Sequence, residues 1–301
     1  MTQRNLWLLT LLICASGCQD DATSVTDPWS TKGPCLWIDQ VAPALQPPAG
    51  LRLRFRALKC DGSALDEPLD ASAITVLNDL TGKPFGAGDE GGESFFLADA
   101  SLYSVYTVLA LDLSDSIFEA GVDGAVLAAA EAFIEELLSG AADNHQVALL
   151  AFGSSANTVL AQGFTDNKAE LLEALSALGG TRRGSTDLYG AYLAALTEVR
   201  SVEMDQNLIL RTLVLVTDGT HEAGDTVVRH SQAVAARAAQ PPVEIFTVGV
   251  EGAYDEAAVK ELATDADHFV PVEDADTLLE ALTELTNRLE AISDSNYVVG
   301  I

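Results

Sequence analysis

Four apolar runs, residues 105–111, 147–152, 213–216 and 245–250, are separated by stretches of helical period. A strand covered on one face alternates apolar and polar residues, whereas runs this continuous suit strands covered on both faces. Between the runs, apolar residues return every three or four positions. Val122, Val126, Ala129, Phe133 and Leu137 form one stripe, with Glu131, Glu135 and Glu136 facing away. Leu188, Tyr192, Ala195 and Val199 form a second, and Leu278, Leu282, Leu285, Leu289 and Ile292 a third. Stripes of this kind pack helices onto a sheet. Strand and helix in alternation predict an α/β domain over 103–294, a parallel sheet covered on both faces, with ligands at the carboxyl ends of its strands.

The segment before it has another texture. Leu51, Leu53 and Phe55 alternate with Arg52, Arg54 and Arg56, the period of a strand with one solvated face. Short runs at 36–41, 73–77 and 94–97 are divided by Gly, Pro and Asp clusters, and Asp61-Gly62 is a turn signal. Residues 35–99 therefore predict a small β domain of sandwich-like character. The apolar ending 295–301 is strand-like and either returns to pair with this domain or marks a cut in a longer chain.

Arg4, an apolar run over 6–14 and the small residues Ala15, Ser16 and Gly17 read as a signal peptide over 1–17. The run is too short to span a bilayer. Ala15-Ser16-Gly17-Cys18 resembles a bacterial lipobox, which implies that Cys18 carries lipid; the alternative is ordinary cleavage near Gly17. Residues 18–34, polar with Pro and Gly, then form a flexible tether. Asp after the lipidated Cys would resemble an inner-membrane retention signal, and Gln19 stands there instead, which points to the outer membrane. Cys35 and Cys60 remain as an even pair in an oxidising compartment and are expected to form a disulfide, worth roughly 3 kcal/mol in the chain-entropy view.

The chain has 301 residues, with 45 Asp and Glu against 16 Lys and Arg, a formal charge of −29. That balance excludes the basic footprint of a nucleic-acid binder and any electrostatic docking on anionic lipid. A membrane contact would then run through the lipid anchor alone. The natural partners are cations, or proteins that bring a cation or a basic patch.

Residues that favour cations gather where strands end. The first run leads into Asp112-Leu113-Ser114-Asp115-Ser116, and alternate residues of extended chain point the same way. Asp112, Ser114 and Ser116 can thus aim three oxygens at one point. Asp218 follows the third run in Thr217-Asp218-Gly219, and Thr186 lies in Gly184-Ser185-Thr186-Asp187 at the opening of a helix. Five hard oxygen donors suit Mg²⁺ or Mn²⁺, or Ca²⁺ more loosely. Taken singly, Ser, Thr and Asp at these places are also ordinary cap and turn residues.

Together, D-x-S-x-S on a strand, a Thr in a Gly-Ser-Thr loop and an Asp in T-D-G resemble the metal-ion-dependent adhesion site of von Willebrand factor type A domains. The resemblance covers about 103–294. It implies a Rossmann-like three-layer α/β fold with one divalent ion at its top. Ser114, Ser116 and Thr186 would touch the ion, while Asp112 and Asp218 hold it directly or through water. Such a site leaves the ion electrophilic, with a position for an Asp or Glu of a protein ligand. Asp115 departs from the Gly that many members carry.

Other sites are weaker. Residues 179–186, GGTRRGST, have the Gly spacing of a phosphate loop, but Ser185 replaces the necessary Lys. There is no G-x-S-x-G elbow, and His145, His221, His230 and His268 lack zinc spacing. His221, three residues past Asp218, is a general-base candidate for metal-bound water, although a lone loop histidine is more often a plain side chain. Glu119 and Asp123 could build a Ca²⁺ site, but a helix N-terminus that welcomes acid explains them better. The expected role is a cell-envelope lipoprotein that binds a protein ligand through its cation, with loops 153–163, 179–187 and 219–225 setting specificity, and not an enzyme. The alternative is an envelope assembly subunit whose metal is stabilising or vestigial. A metal-assisted hydrolase comes last.

Overall fold

The computed structural model describes residues 103–139, 145–203, 208–218, 221–223, 226–250 and 255–294, together with strands at 9–12, 34–43, 51–59, 75–78, 83–84, 95–97 and 296–300. The chain divides into two compact units. One is residues 103–287, and the other is built from both ends, 1–102 and 288–301.

In the unit built from the ends, the strands in chain order are β1 (Leu9–Leu12), β2 (Pro34–Pro43), β3 (Leu51–Lys59), β4 (Thr75–Asn78), β5 (Lys83–Pro84) and β6 (Phe95–Leu97). β1 pairs antiparallel with β4, which pairs antiparallel with β5. β1 lies within the segment read as a signal peptide; the β4–β5 pairing does not involve it. β2 and β3 pair antiparallel over nearly their whole length, with Cys35 opposite Leu58 and an irregularity between Ile38 and Gln40. Cys18 and Cys60 lie outside the described residues, and with them the lipid anchor and the expected disulfide.

The body begins with β7 (Tyr103–Asp112), followed by α1 (Asp115–Ala120), α2 (Asp123–Leu137), β8 (His145–Phe152), β9 (Val159–Thr165), α3 (Lys168–Leu178) and α4 (Leu188–Ser201). Then come β10 (Leu208–Thr217), α5 (Thr226–Arg237), β11 (Glu244–Val250), α6 (Glu256–Leu262), a 3-10 turn at Ala266–His268, β12 (Phe269–Val272) and α7 (Ala275–Asp294). The last strand, β13 (Asn296–Gly300), belongs with the ends: it lies between β3 and β6 in a four-stranded sheet of order β2-β3-β13-β6.

The six-stranded sheet of the body runs β12-β11-β10-β7-β8-β9. Five strands are parallel, and β9 runs antiparallel to β8 at one edge. The sheet is thus the mostly parallel one expected, with one antiparallel strand at its edge. The chain returns from β8 through a short turn, for which only an antiparallel partner is within reach. Val108, Ala110, Leu150, Leu213, Leu215 and Ile245 cluster with Leu188, Tyr192, Ala195 and Val199 of α4 and with Val259 and Leu262 of α6. The alternate set, among it Leu109, Leu111, Leu149, Val214, Val216 and Phe246, is equally buried. Buried as well are the stripes of α2 (Val126, Phe133), α3 (Leu171, Leu175) and α7 (Leu278, Leu282, Leu285). Three layers result, and the continuous apolar runs are the middle one. Among the described residues no helix is long and apolar enough to cross a membrane.

At the amino end of the sheet His268 is nearly buried and held from both sides. Its Nδ1 lies 2.6 Å from an Asp265 oxygen and its Nε2 2.9 Å from one of Glu244. Burial opposes the charged ring, but the two carboxylates outweigh it and raise the pKa above the ordinary histidine value.

Candidate metal centre

The carboxyl end of β7 lies in the middle of the sheet, beside that of β10. Leu113 continues the strand pattern by donating its N–H to Phe152 O, 2.8 Å away. Asp112 is fully buried, and its Oδ1 accepts from the backbone N–H of Ser114 at 2.9 Å. Its Oδ2 accepts from the Thr217 hydroxyl at 2.7 Å. Ser114 and Ser116 hydroxyls are 3.0 Å apart, and Ser116 donates to Asp218 Oδ1 at 3.1 Å. Four of the five expected donors, Asp112, Ser114, Ser116 and Asp218, thus form one hydrogen-bonded group joining the ends of two strands. Asp115, the departure from the family pattern, is exposed at the start of α1.

Thr186, the fifth, is buried in the loop between α3 and α4. Its N–H reaches Glu222 Oε2 at 3.4 Å, and its carbonyl accepts from Glu222 N–H at 2.8 Å. The same loop crosses the D-x-S-x-S segment: Arg183 N–H donates to Leu113 O at 3.0 Å, and Asp115 N–H donates to Gly184 O at 2.8 Å. Gly184 has φ +77°, in the left-handed region that favours glycine. Asp187 caps α4, accepting from Gly190 N–H at 3.1 Å, and its own N–H donates to Gly153 O at 2.7 Å. The loops after β7, β8 and α3 are therefore tied to one another beside the oxygen cluster.

The donor chemistry fits a hard divalent ion. Burial, then the charge of Asp218, push Asp112 up to about 7, against the weaker pull of the Ser114 and Thr217 hydrogen bonds. Burial also raises Asp218. The partners of Asp112 are hydroxyls and an amide. Two buried carboxylates that repel each other, ringed by neutral hydroxyls, are the environment a cation relieves. Among the described residues no three His, Cys, Asp or Glu side chains converge on one point. Asp123 stands in the first turn of α2.

Loop 153–163 is shorter than its sequence expectation, because β9 begins at Val159; the loop 219–225 is described only at 221–223. His221 is buried against Tyr189, ring centroids 4.4 Å apart, with Nδ1 3.7 Å from Asp187 Oδ1. Burial first, and Arg229 to a lesser extent, lower its pKa over the opposing pull of Ala223 and Asp187, which favours the neutral ring. Thr217, Glu222 and Asp187 support the cluster without having been singled out in the sequence for this role. Thr217 carries a signal in retrospect: a hydroxyl directly before a strand-end Asp alternates to the face of the neighbouring strand.

The family model for the von Willebrand factor type A domain matches residues 107–286. None of the curated proteins matches the sequence. Among solved structures, the pilus adhesin SpaC of Lactobacillus rhamnosus GG in its open conformation aligns with TM-score 0.53 and 13% identity, over 88% of this chain and 34% of that one. Proximal thread matrix protein 1 of the mussel byssus, solved with a zinc-occupied MIDAS motif, aligns with TM-score 0.51 and 16% identity, over 69% of this chain and 49% of that one. The chain thus spans about half the length of the byssus protein and a third of the adhesin. At these identities the likeness is one of fold.

Proposed function

The chain belongs to the von Willebrand factor type A domain family, and on that premise we propose that it binds a protein ligand through a divalent cation. Asp112, Ser114, Ser116, Thr186 and Asp218 hold the ion, Mg²⁺ in the first instance, with Mn²⁺ or Ca²⁺ as substitutes. The observation that carries this reading is the buried Asp112–Asp218 pair with hydroxyl partners and raised pKa values. A bound ion supplies an electrophilic position that an Asp or Glu of the partner can fill. Ser114 and Ser116 contribute oxygens without charge, so the positive character of the site is only partly neutralised. Thr217 and the Ser114 N–H hold the Asp112 carboxylate in place, and Glu222 fixes the Thr186 loop. The leader, the lipobox-like Cys18 and Gln19 support an exported protein anchored by lipid in the bacterial envelope, at the outer membrane.

This is a binding role rather than a catalytic one. His221 is turned toward Tyr189 and Asp187, and it packs on the Tyr189 ring. Calorimetric titration of Mg²⁺ and Mn²⁺ into chelator-stripped protein tests the reading, with Asp218→Ala as control because a chain of charge −29 attracts cations everywhere. One saturable site, lost in the variant, is the expected result. Equal heats in both proteins would remove the centre and favour an assembly role without metal.

A further inference from the structure

The loop that supplies Thr186 also carries two arginines, Arg182 and Arg183, in a chain with only 16 basic residues. They have different surroundings. Arg183 is part of the scaffold: its guanidinium donates to Asn157 O at 2.9 Å, while its carbonyl accepts from Ser154 N–H at 2.8 Å and from the Asn157 amide at 3.1 Å. Arg182 is exposed, and its guanidinium carbon lies 5.3 Å from the centroid of the Phe118 ring. Phe118 is on α1, two residues after Ser116.

Backbone bonds on both sides fix where this places the cation. Arg183 N–H to Leu113 O and Asp115 N–H to Gly184 O bracket Ser114, so the peptide that follows Arg182 lies against the D-x-S-x-S loop. The other arginines of the body with hydrogen-bonded guanidinium groups, Arg200, Arg211 and Arg237, clamp backbone carbonyls. Among the described residues Arg182 has no such acceptor and no carboxylate at ion-pair distance. A guanidinium resting on an aromatic face keeps its N–H edges free, and those edges fit a carboxylate in a two-pronged arrangement.

We propose that Arg182 is a second anchor for the ligand: the partner is an acidic polypeptide segment with two carboxylates, one for the cation and one for Arg182. The inference rests on the metal reading and deepens it. It also accounts for how a chain of this net charge can receive an acidic partner, since cation and guanidinium together make one positive rim on a negative molecule.

The test uses the whole chain loaded with Mn²⁺ and fluorescent Gly/Ser peptides that carry one Asp, or two Asp separated by one to four residues. Anisotropy should show the best two-Asp peptide binding about tenfold more tightly than the one-Asp peptide, the scale of one charge-assisted pair. Arg182→Gln should reduce that advantage to within about twofold and leave one-Asp binding and Mn²⁺ affinity in place. Arg182→Lys should restore only part, because it returns the charge without the fork. Lys168→Gln removes the same charge at the start of α3, at the opposite end of the sheet, and should change nothing. Equal affinity for one-Asp and two-Asp peptides, or an equal loss for both in Arg182→Gln, overturns the second anchor while the metal reading stands. Peptide binding that survives both chelator and Asp218→Ala, or no binding of any peptide, removes the metal reading and the anchor with it.

Discussion

Asp112 concentrates the energetic conflict of this site in one carboxyl group. It is fully buried, it faces a second acid, and its pKa of about 7 lies above the 3.8 of an ordinary Asp. A raised folded-state pKa means that the folded protein holds the proton more tightly than the unfolded chain. Its stabilising effect is complete below pH 3.8 and is lost as pH rises through about 7. Chelated protein should therefore melt at progressively lower temperature between about pH 4 and 7, and the loss should be smaller in Asp112→Asn. The variant is needed because the His268 clamp loses stability in the same direction above the ordinary histidine pKa. At pH 7, Asp112→Asn should be at least as stable as the chelated parent and should gain nothing from Mg²⁺. Thermal scans with and without the ion check both statements; a metal-dependent gain retained in Asp112→Asn contradicts them. Because proton and metal compete for this carboxylate, metal affinity should also weaken as pH falls below 7. The strand-end acids and hydroxyls were legible because alternation along extended chain is a local rule. The Thr217–Asp112 bond and the Glu222–Thr186 bond were not, since they join residues 105 and 36 positions apart with no period to announce them.

At the scale of elements, the site depends on how closely the loops after β8 and α3 approach. A Cβ on Gly153 would stand 2.4 to 2.7 Å from Cβ, O and C of Arg183. Arg183 cannot retreat without breaking its bonds to Leu113 and Ser154. Gly153→Ala should cost about 1–3 kcal/mol, the range for overpacking, and should weaken metal binding by displacing the Thr186 loop. Gly163→Ala, in β9, meets nothing within 4 Å and should leave both unchanged. Urea denaturation of the two variants, each with a Mg²⁺ titration, separates a packing effect from a general intolerance of Ala; equal curves for Gly153→Ala and the parent would refute the close approach. Helices α2, α4 and α7 and strands β7, β8, β10 and β11 were readable because burial imposed a continuous run or a regular stripe. β9 was read as part of a loop because it is an edge strand with half-exposed residues, Val159 and Leu160 at 39% and 42% exposure, so burial imposes little on its sequence. β12 is four residues long and holds Pro271, too short for any period to emerge.

For the whole molecule, the informative fact is that the two ends of the chain build one unit and the body lies between them in sequence. β13 is internal to its sheet: Tyr297 pairs with Phe55 on one side, and Val299 with Phe96 on the other. The strand-like ending 295–301 was readable from composition, but its position between two strands about 200 and 240 residues earlier was not. Such a pairing costs loop-closure entropy that grows only slowly with length, so distance along the chain does little to oppose it. β6 has β13 as its partner in this sheet, so deleting residues 295–301 leaves β6 without a ladder and β3 with an open edge. New protease cleavage should then appear between residues 51 and 97, located by mass spectrometry. The six strands of the body include none of this set, and Asp112, Ser114, Ser116, Thr186 and Asp218 are all carried by the body. The truncated chain should therefore bind Mg²⁺ with the affinity of the parent. A loss of metal binding on truncation would mean that the end-built unit supports the site, and protease resistance unchanged from the parent would mean that β13 is dispensable to its sheet.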